Sequence, residues 1–397
     1  MEPSREERDR QALGPPIFPE PARAEDAPGA RTLHEESVRS WREHGYALVD
    51  GVFPADLIER ARAESAAPFP TPGSAAAEAV TDFGSLGLME FPTRSRAVNE
   101  ITLHPRLLDA TSQLLGVPIR DLRLTQSEVW PKYGRTGKAG GNLDNYDQRI
   151  HIDYPNHSLT HPAAFETPES VALLVYFDDI EEVGGATQIV PRSGPGDPAY
   201  AGPLIRSPGI GGIDFVNDRE GAEAALRESH PEIAVWREEN LYARARSVRF
   251  RPGTTLFYRH DVWHRGTPIA AGALRIVQNI SFKRADCEWI SIVHRGWAWS
   301  LYDPSRHLVE MIAKSRVDQR CVLGFPAPGS AYWTRATLDA VAARFGREGM
   351  DLSPYEEALA SKPSTATPAL AQLHDENARL RSELHQLRAS RGQPATD

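Results

Sequence analysis

Six short runs rich in β-branched and aromatic residues, DLRLTQSEVW, SVALLVYF, SVRF, TTLFYR, LRIVQNISF and WISIVHR, fill the centre of the chain, with turn-rich pieces such as EEVGGA and RPGT among them. Strands that follow one another without long crossover helices pair antiparallel, so the pattern predicts a mainly β fold, a sandwich or jelly roll of two facing sheets. Gly184-Gly185 and Pro252-Gly253 then fall at hairpins or corners.

Helices flank this centre. TLHEESVRSWREHG carries a Thr cap, early acids, an apolar Val38/Trp41 pair and a terminating Gly45; YALVDGVF follows as a short strand and PADLIERARAE as a second helix. Residues 68–92, rich in Gly, Ala and Pro, read as an irregular wall or flap. The segment 191–247 reads as an insertion, a lid or substrate-selecting loop. Helices are expected over 304–316 and 334–345, packed on the outside of the sandwich.

The ends differ in character. Residues 1–30 are Pro-, Glu-, Arg- and Ala-rich and predict a disordered leader, with one folded domain over 31–360. Residues 361–368 form a linker, 369–389 a separate C-terminal helix and 390–397 a disordered tail. Leu370, Leu373, Asn377, Leu380, Leu384 and Leu387 recur in an a/d pattern, which fits either a helix docked on its own domain or a short coiled coil that would make a homodimer.

Composition removes several classes of function. The 45 Lys and Arg against 54 Asp and Glu leave a net charge of −9, which gives no general attraction to nucleic acid or to an anionic membrane. No stretch approaches the roughly 18 consecutive apolar residues of a membrane span, and the start of the chain lacks the apolar core of an export signal. Two cysteines, Cys287 and Cys321, fit a reducing cytoplasmic setting and lack the Cys-x2-Cys spacing of a structural zinc site.

The chemistry lies in His151-Ile152-Asp153, in His264 of VWHRGTP, 111 residues after Asp153 (264 − 153), and in Arg275, 11 residues further on (275 − 264). Alternate residues of a strand share a face, so His151 and Asp153 can approach one ion. Two imidazoles and a carboxylate on one face of an octahedral ferrous ion leave the opposite face open for a chelating co-substrate and O2. Arg275, on a predicted strand, suits bidentate capture of a carboxylate. The plainer readings are a surface His-x-Asp, a buried histidine bonded to backbone, and a core salt bridge. His157, His161 and His260 compete as ligands.

With these residues in view, the chain resembles the phytanoyl-CoA dioxygenase-like family of Fe(II)/2-oxoglutarate oxygenases over about residues 35–300. The resemblance rests on HGYALVDGVF, LTQSEVWPK, HID, VALLVYFDDIEEVGGATQIVPRSGP and HRGTPIAAGALRIVQN. It implies a double-stranded β-helix, cupin-like core, iron on His151, Asp153 and His264, and 2-oxoglutarate on Arg275. It also nominates Gln126, Lys132 and Thr267 near the co-substrate. Leu174 stands where some relatives carry Trp, and the carboxylate of Asp153 fills the position that related halogenases leave open for chloride, which favours hydroxylation.

The implied reaction consumes O2 and 2-oxoglutarate, releases succinate and CO2, and oxidises a small-molecule (secondary) metabolite. Tyr146, Arg149, His157 and His161 are the substrate-binding candidates nearest in sequence to the metal strand. Desaturation, epoxidation or ring formation at the same site are alternatives. So are a cupin-like Zn or Mn isomerase or hydrolase and a non-catalytic jelly-roll scaffold.

Overall fold

The structure, a computed structural model, describes residues 22–23, 32–80, 89–91, 93, 95–135, 144–158, 162, 165–200, 207–210, 212–287, 307–317, 320 and 325–361. Its strands are β1 (Ala22–Arg23), β2 (Tyr46–Asp50), β3 (Met89–Glu90), β4 (Leu122–Tyr133), β5 (Ser170–Tyr176), β6 (Thr187–Ile189), β7 (Arg246–Ser247), β8 (Thr255–Tyr258), β9 (His264–Gly266) and β10 (Leu274–Arg284). They form a seven-stranded sheet in the order β1-β2-β8-β5-β10-β4-β3 and a three-stranded sheet in the order β7-β6-β9. Every pairing is antiparallel except β1 with β2. The architecture is thus mostly antiparallel sheet with flanking helices, consistent with a cupin-like core.

Period-two alternation along β10 sorts the large sheet into two faces. Ile276, Ile280 and Phe282 join Val129 of β4 and Leu173 and Val175 of β5 in a core covered by helices. Those helices are α1 (Glu35–His44), α2 (Ala55–Ala66), α4 (Arg96–Thr102) and α5 (Pro105–Leu115), and Trp41, Leu57, Val98 and Leu107 reach this core, while Ala77 of the short α3 (Ala75–Glu78) packs apart from it with Val80 and Tyr133. Each fully buried aliphatic side chain there contributes roughly 1.5–3 kcal/mol. Arg275, Val277 and Asn279 alternate onto the opposite face and line a cavity. Beside it, Tyr176, Leu256 and Tyr258 pack with Ile189, Val248 and Val262 between the two sheets.

β4 runs through Pro131, beyond the expected run ending at Trp130. Ile276, opposite Pro131, turns its own peptide groups toward the β5 side, where its N–H donates to Asp178 and its carbonyl accepts from Phe177. Ile276 therefore asks no N–H of Pro131, and the ladder between β4 and β10 loses no bond there.

α1 begins as its acids predict, with Glu35 and Glu36 in the first turn, but its cap position is His34 rather than Thr32, whose N–H donates to Asp109. Gly45 ends it in the left-handed region at φ 87°, and a Cβ there would meet Val262 at 2.3 Å. Ala22 and Arg23 lie in the expected disordered leader yet pair with Val49 and Asp50. Backbone pairing to an open edge needs no side-chain pattern, so composition could not reveal it.

After β4 come the short helices α6 (Tyr154–His157) and α7 (Ile180–Val183). Two longer ones, α8 (Arg219–Ser229) and α9 (Pro231–Asn240), form a hairpin within the 191–247 insertion. The last described helices are α10 (His307–Lys314), α11 (Arg335–Phe345) and α12 (Ser353–Ala360). Their apolar faces do not pack on the sandwich as expected. Val309, Ile312, Phe325, Trp333, Leu338, Phe345 and Tyr355 form a core of their own, in which the rings of Trp333, Phe325 and Tyr355 meet at tilted and edge-on angles. WISIVHR, most of the leader and linker, the 369–389 helix and the 390–397 tail lie outside the described residues. No helix among the described residues is long and apolar enough to cross a membrane.

Candidate metal centre

His151 and His264 are brought together by their backbones. Each donates its N–H to the other's carbonyl at 2.9 Å, and their rings lie 4.5 Å apart, centroid to centroid. Asp153, two residues on, is the residue that opens α6, but its side chain makes no cap bond there. Instead Oδ1 lies 3.5 Å from His151 Nε2 and Oδ2 lies 3.3 Å from His264 Nε2. The three side chains offer ligand atoms all within 4.8 Å of one another.

The protonation pattern suits a metal. His151 Nδ1 meets the carbonyl of Arg149 at 3.1 Å and His264 Nδ1 that of Val262 at 3.0 Å. A carbonyl only accepts, so both Nδ1 atoms carry a proton, and in the neutral rings that a metal binds both Nε2 lone pairs face the carboxylate. Acceptors turned toward one another call for a cation between them. Tyr258 steadies the carboxylate by donating to Asp153 Oδ2 at 3.1 Å.

Charge balance in the cluster is set by proximity as much as by burial. Burial, then the neighbouring His264, pushes the His151 pKa down to about 4. Burial would also lower His264, yet the Asp153 carboxylate outweighs it and raises that group. Burial alone would raise Asp153, but the two imidazoles hold it well below the ordinary carboxylate range.

A cavity of about 140 Å³ opens from this cluster, and two cations stand in its wall. Lys132 of β4 and Arg275 of β10 are direct cross-strand partners, each 7% exposed. Lys132 Nζ donates to the Thr267 carbonyl at 2.9 Å and Arg275 to the Gly185 carbonyl, while Arg275 Nε is buried without a partner. Burial and then the facing Arg275 hold Lys132 well below the usual amine range. Among the described residues neither cation is ion-paired, so a dicarboxylate suits the arrangement. The backbone comes close here: a Cβ on Gly266 would sit 3.0 Å from Lys132 Nζ and 2.5 Å from Gln148 Oε1.

The remaining sequence candidates divide. Gln126 and His157 also line the cavity. Gln126 stands six residues from Lys132 along β4, roughly 20 Å at a strand's rise, and donates to Glu128. Thr267 is not in the lining, since its hydroxyl and its N–H both donate to the Ala186 carbonyl. Arg149 and Tyr146 are absent from it too: Arg149 donates to Asn217 and lies over the Phe215 ring, and the Tyr146 hydroxyl approaches the Arg135 carbonyl. His161 lies outside the described residues. The competing His260 is held between the hydroxyls of Ser170 and Ser281, at 3.0 and 3.2 Å.

Sequence reasoning missed Val277 and Asn279 in the wall, and missed Tyr258 as the partner of Asp153. The first two follow from period-two alternation beyond Arg275; the third had no local signal.

Residues 41–277, more than half of the chain, match the phytanoyl-CoA dioxygenase (PhyH) family. The chain belongs to that family. With its His-Asp-His cluster, this phytanoyl-CoA dioxygenase relative is an Fe(II)/2-oxoglutarate-dependent oxygenase. No curated protein matches it. Among solved structures it is similar to EvdO2 from Micromonospora carbonacea var. aurantiaca, at 13% identity over 69% of this chain and 99% of that one, TM-score 0.45. It is also similar to SnoK, a non-haem α-ketoglutarate-dependent carbocyclase from nogalamycin biosynthesis, at 17% identity over 76% and 98%, TM-score 0.44. A third likeness is the epimerase SnoN in complex with Fe3+, α-ketoglutarate and nogalamycin RO, at 17% identity over 64% and 85%, TM-score 0.42.

Proposed function

We propose that this protein hydroxylates a C–H bond of a small-molecule secondary metabolite in a reducing cytoplasm, consuming O2 and 2-oxoglutarate and releasing succinate and CO2. The observation that carries the reading is the shared cavity: the His151–Asp153–His264 cluster and the Arg275–Lys132 cations, which pair with no carboxylate among the described residues, open into the same space. The two facing sheets support a jelly-roll core around it.

His151, Asp153 and His264 would hold iron. Bound iron supplies the redox chemistry that couples oxidative decarboxylation of the co-substrate to oxidation of a C–H bond. Arg275 offers its guanidinium, including the unpartnered Nε, to the far carboxylate of 2-oxoglutarate, and Lys132 adds a second positive charge beside it. Burial strengthens both interactions and keeps bulk water from the reacting centre. Trp130, Val277 and Leu174 give the wall an apolar stretch for a carbon skeleton, and Leu174 presents less bulk than an aromatic residue would. The carboxylate of Asp153 occupies the third protein position, which favours hydroxylation over halide transfer.

Anaerobic addition of Fe(II) and 2-oxoglutarate is expected to give a weak visible charge-transfer band, and His264→Ala to abolish it with the fold retained. A wild-type protein without that band would remove the oxygenase reading. Succinate release across a metabolite panel, followed by product mass, identifies the substrate and the oxidation.

A further inference from the structure

The segment 147–158 carries two of the three cluster residues yet has little regular structure of its own, only isolated bridges from Gln148 to Asp218 and from His151 to His264 and the four-residue α6. Besides its backbone bonds to β9 and to His260, its shape is held from outside the two sheets, by elements on either side.

On the N-terminal side lies the insertion. Arg149 N–H donates to the Asn217 carbonyl and Arg219 N–H to the Asp147 carbonyl, both at 2.8 Å, which lays residues 217–219 along the segment like an extra strand edge. Both peptide groups of Ile150, the residue before His151, are then taken. Its N–H donates to the Tyr242 hydroxyl at 3.2 Å, and its carbonyl accepts from Arg237 Nη2 at 2.9 Å. Arg237 is wholly buried and donates to Glu223 at 2.7 Å, and Tyr242 donates to the same carboxylate oxygen at 2.7 Å. Tyr242, Glu223, Arg237 and the Ile150 peptide groups thus make one linked network. A fully buried arginine is costly unless every such bond is made, so the geometry is narrowly fixed.

On the C-terminal side stands Arg344 of α11. Its Nη1 donates to the Ser158 carbonyl at 2.7 Å and its Nη2 to the Pro155 carbonyl at 3.2 Å. Those carbonyls lie in and just after α6, the helix that Asp153 opens, so a guanidinium caps the turn that aims the carboxylate. Arg344 lies well beyond residue 277, where the family match ends.

We propose that Tyr242, Arg237 and Arg344 are positioning residues for the metal-binding pair His151 and Asp153, and that the helical insertion and the C-terminal helices act as splints for the ligand segment. This rests on the metal reading given above. It also gives the insertion a role other than that of a lid: its bonds run to the backbone that fixes His151.

The test uses the full chain with Co(II) in place of Fe(II), read by visible absorption, with thermal midpoints in parallel. Tyr242→Phe removes one hydroxyl, and Arg344→Met removes the cap. Each is expected to weaken Co(II) binding roughly 10- to 100-fold, the usual effect of losing a group that orients a ligand. Leu173→Ala, in the helix-covered core on the far face of the large sheet, is expected to lower the midpoint while leaving Co(II) affinity unchanged. If Tyr242→Phe and Arg344→Met bind Co(II) within about twofold of wild type while folded, against the 10-fold or greater loss expected, the splint role is overturned whatever happens to the midpoint. Should Arg344→Met not fold, Tyr242→Phe decides alone. Wild-type protein that binds no Co(II) would overturn the metal reading, and this inference with it.

Discussion

His151 and His264 exchange both of their backbone hydrogen bonds, at 2.9 Å each, so one antiparallel pair fixes the separation of two imidazoles that lie 113 residues apart in sequence (264 − 151). Removing one imidazole leaves this pairing intact, and the loss should fall on the metal alone. With Co(II) at 100 times its Kd, wild-type protein is expected to gain about 2.7 kcal/mol of stability and His151→Ala none, with equal midpoints in chelator. Equal stabilisation of the two proteins would take His151 out of the ligand set.

Arg275→Lys keeps the charge and loses the fork. Hydrogen bonds to charged groups contribute about 1.5–3 kcal/mol, so KM for 2-oxoglutarate should rise roughly 10- to 100-fold. Metal affinity without co-substrate should not change. A proportionate fall in both would mean that Arg275 supports the fold rather than the dicarboxylate.

Lys132 gives the co-substrate step a pH dependence. Burial and Arg275 depress its pKa, so its charge is lost on raising the pH well before that of an exposed lysine. Only the charged form attracts a dianion, so 2-oxoglutarate binding should weaken as pH rises through that depressed value and should take up a proton there. Titration calorimetry in buffers of different ionisation enthalpy measures the uptake. Lys132→Met should abolish it.

Gly266→Ala places a methyl group against Lys132 Nζ and Gln148 Oε1. Both are ends of flexible side chains, so the fold should survive with a small change in midpoint, while 2-oxoglutarate binding falls because Lys132 is displaced. An unchanged Kd for 2-oxoglutarate would show that Lys132 need not hold this place.

Asp197 ties the two ends of the insertion together through Arg244, with both oxygens engaged at 2.6 Å, and accepts from the amides of Ser193 and Ala199. Burial would raise its pKa, but Arg244 and those amides depress it on balance. A depressed carboxylate adds stability above its unfolded value, near 3.9, and loses it as pH falls through the folded value. Asp197→Asn should cost about 2–3 kcal/mol at neutral pH, less than a fully buried pair because Arg244 is partly exposed, and should flatten the acid limb of urea unfolding.

Much of the fold was legible wherever a local period exists. The runs around Val171, Thr255 and Arg275 announced strands because one face had to be apolar, and His151-Ile152-Asp153 announced a shared approach at a spacing of two. What stayed hidden depends on distant backbone. β4 passes Pro131 because the peptide groups of Ile276 opposite it are taken by Asp178 and Phe177, and β1 pairs with β2 where its own composition gives no strand signal. His260 and His264 look equivalent in sequence, and only Ser170 and Ser281, brought in from two other strands, tell them apart. Thr267 looked like a hydroxyl donor to the co-substrate until the Ala186 carbonyl claimed it.

The C-terminal helices own a separate aromatic core, while one of their arginines reaches the turn after Asp153. Such a module can come undone as a unit before the sheets do. On warming, this enzyme would then release its metal and fall silent while its β-sheet signal is still whole, so its working temperature range would be set by helices that touch neither iron nor substrate.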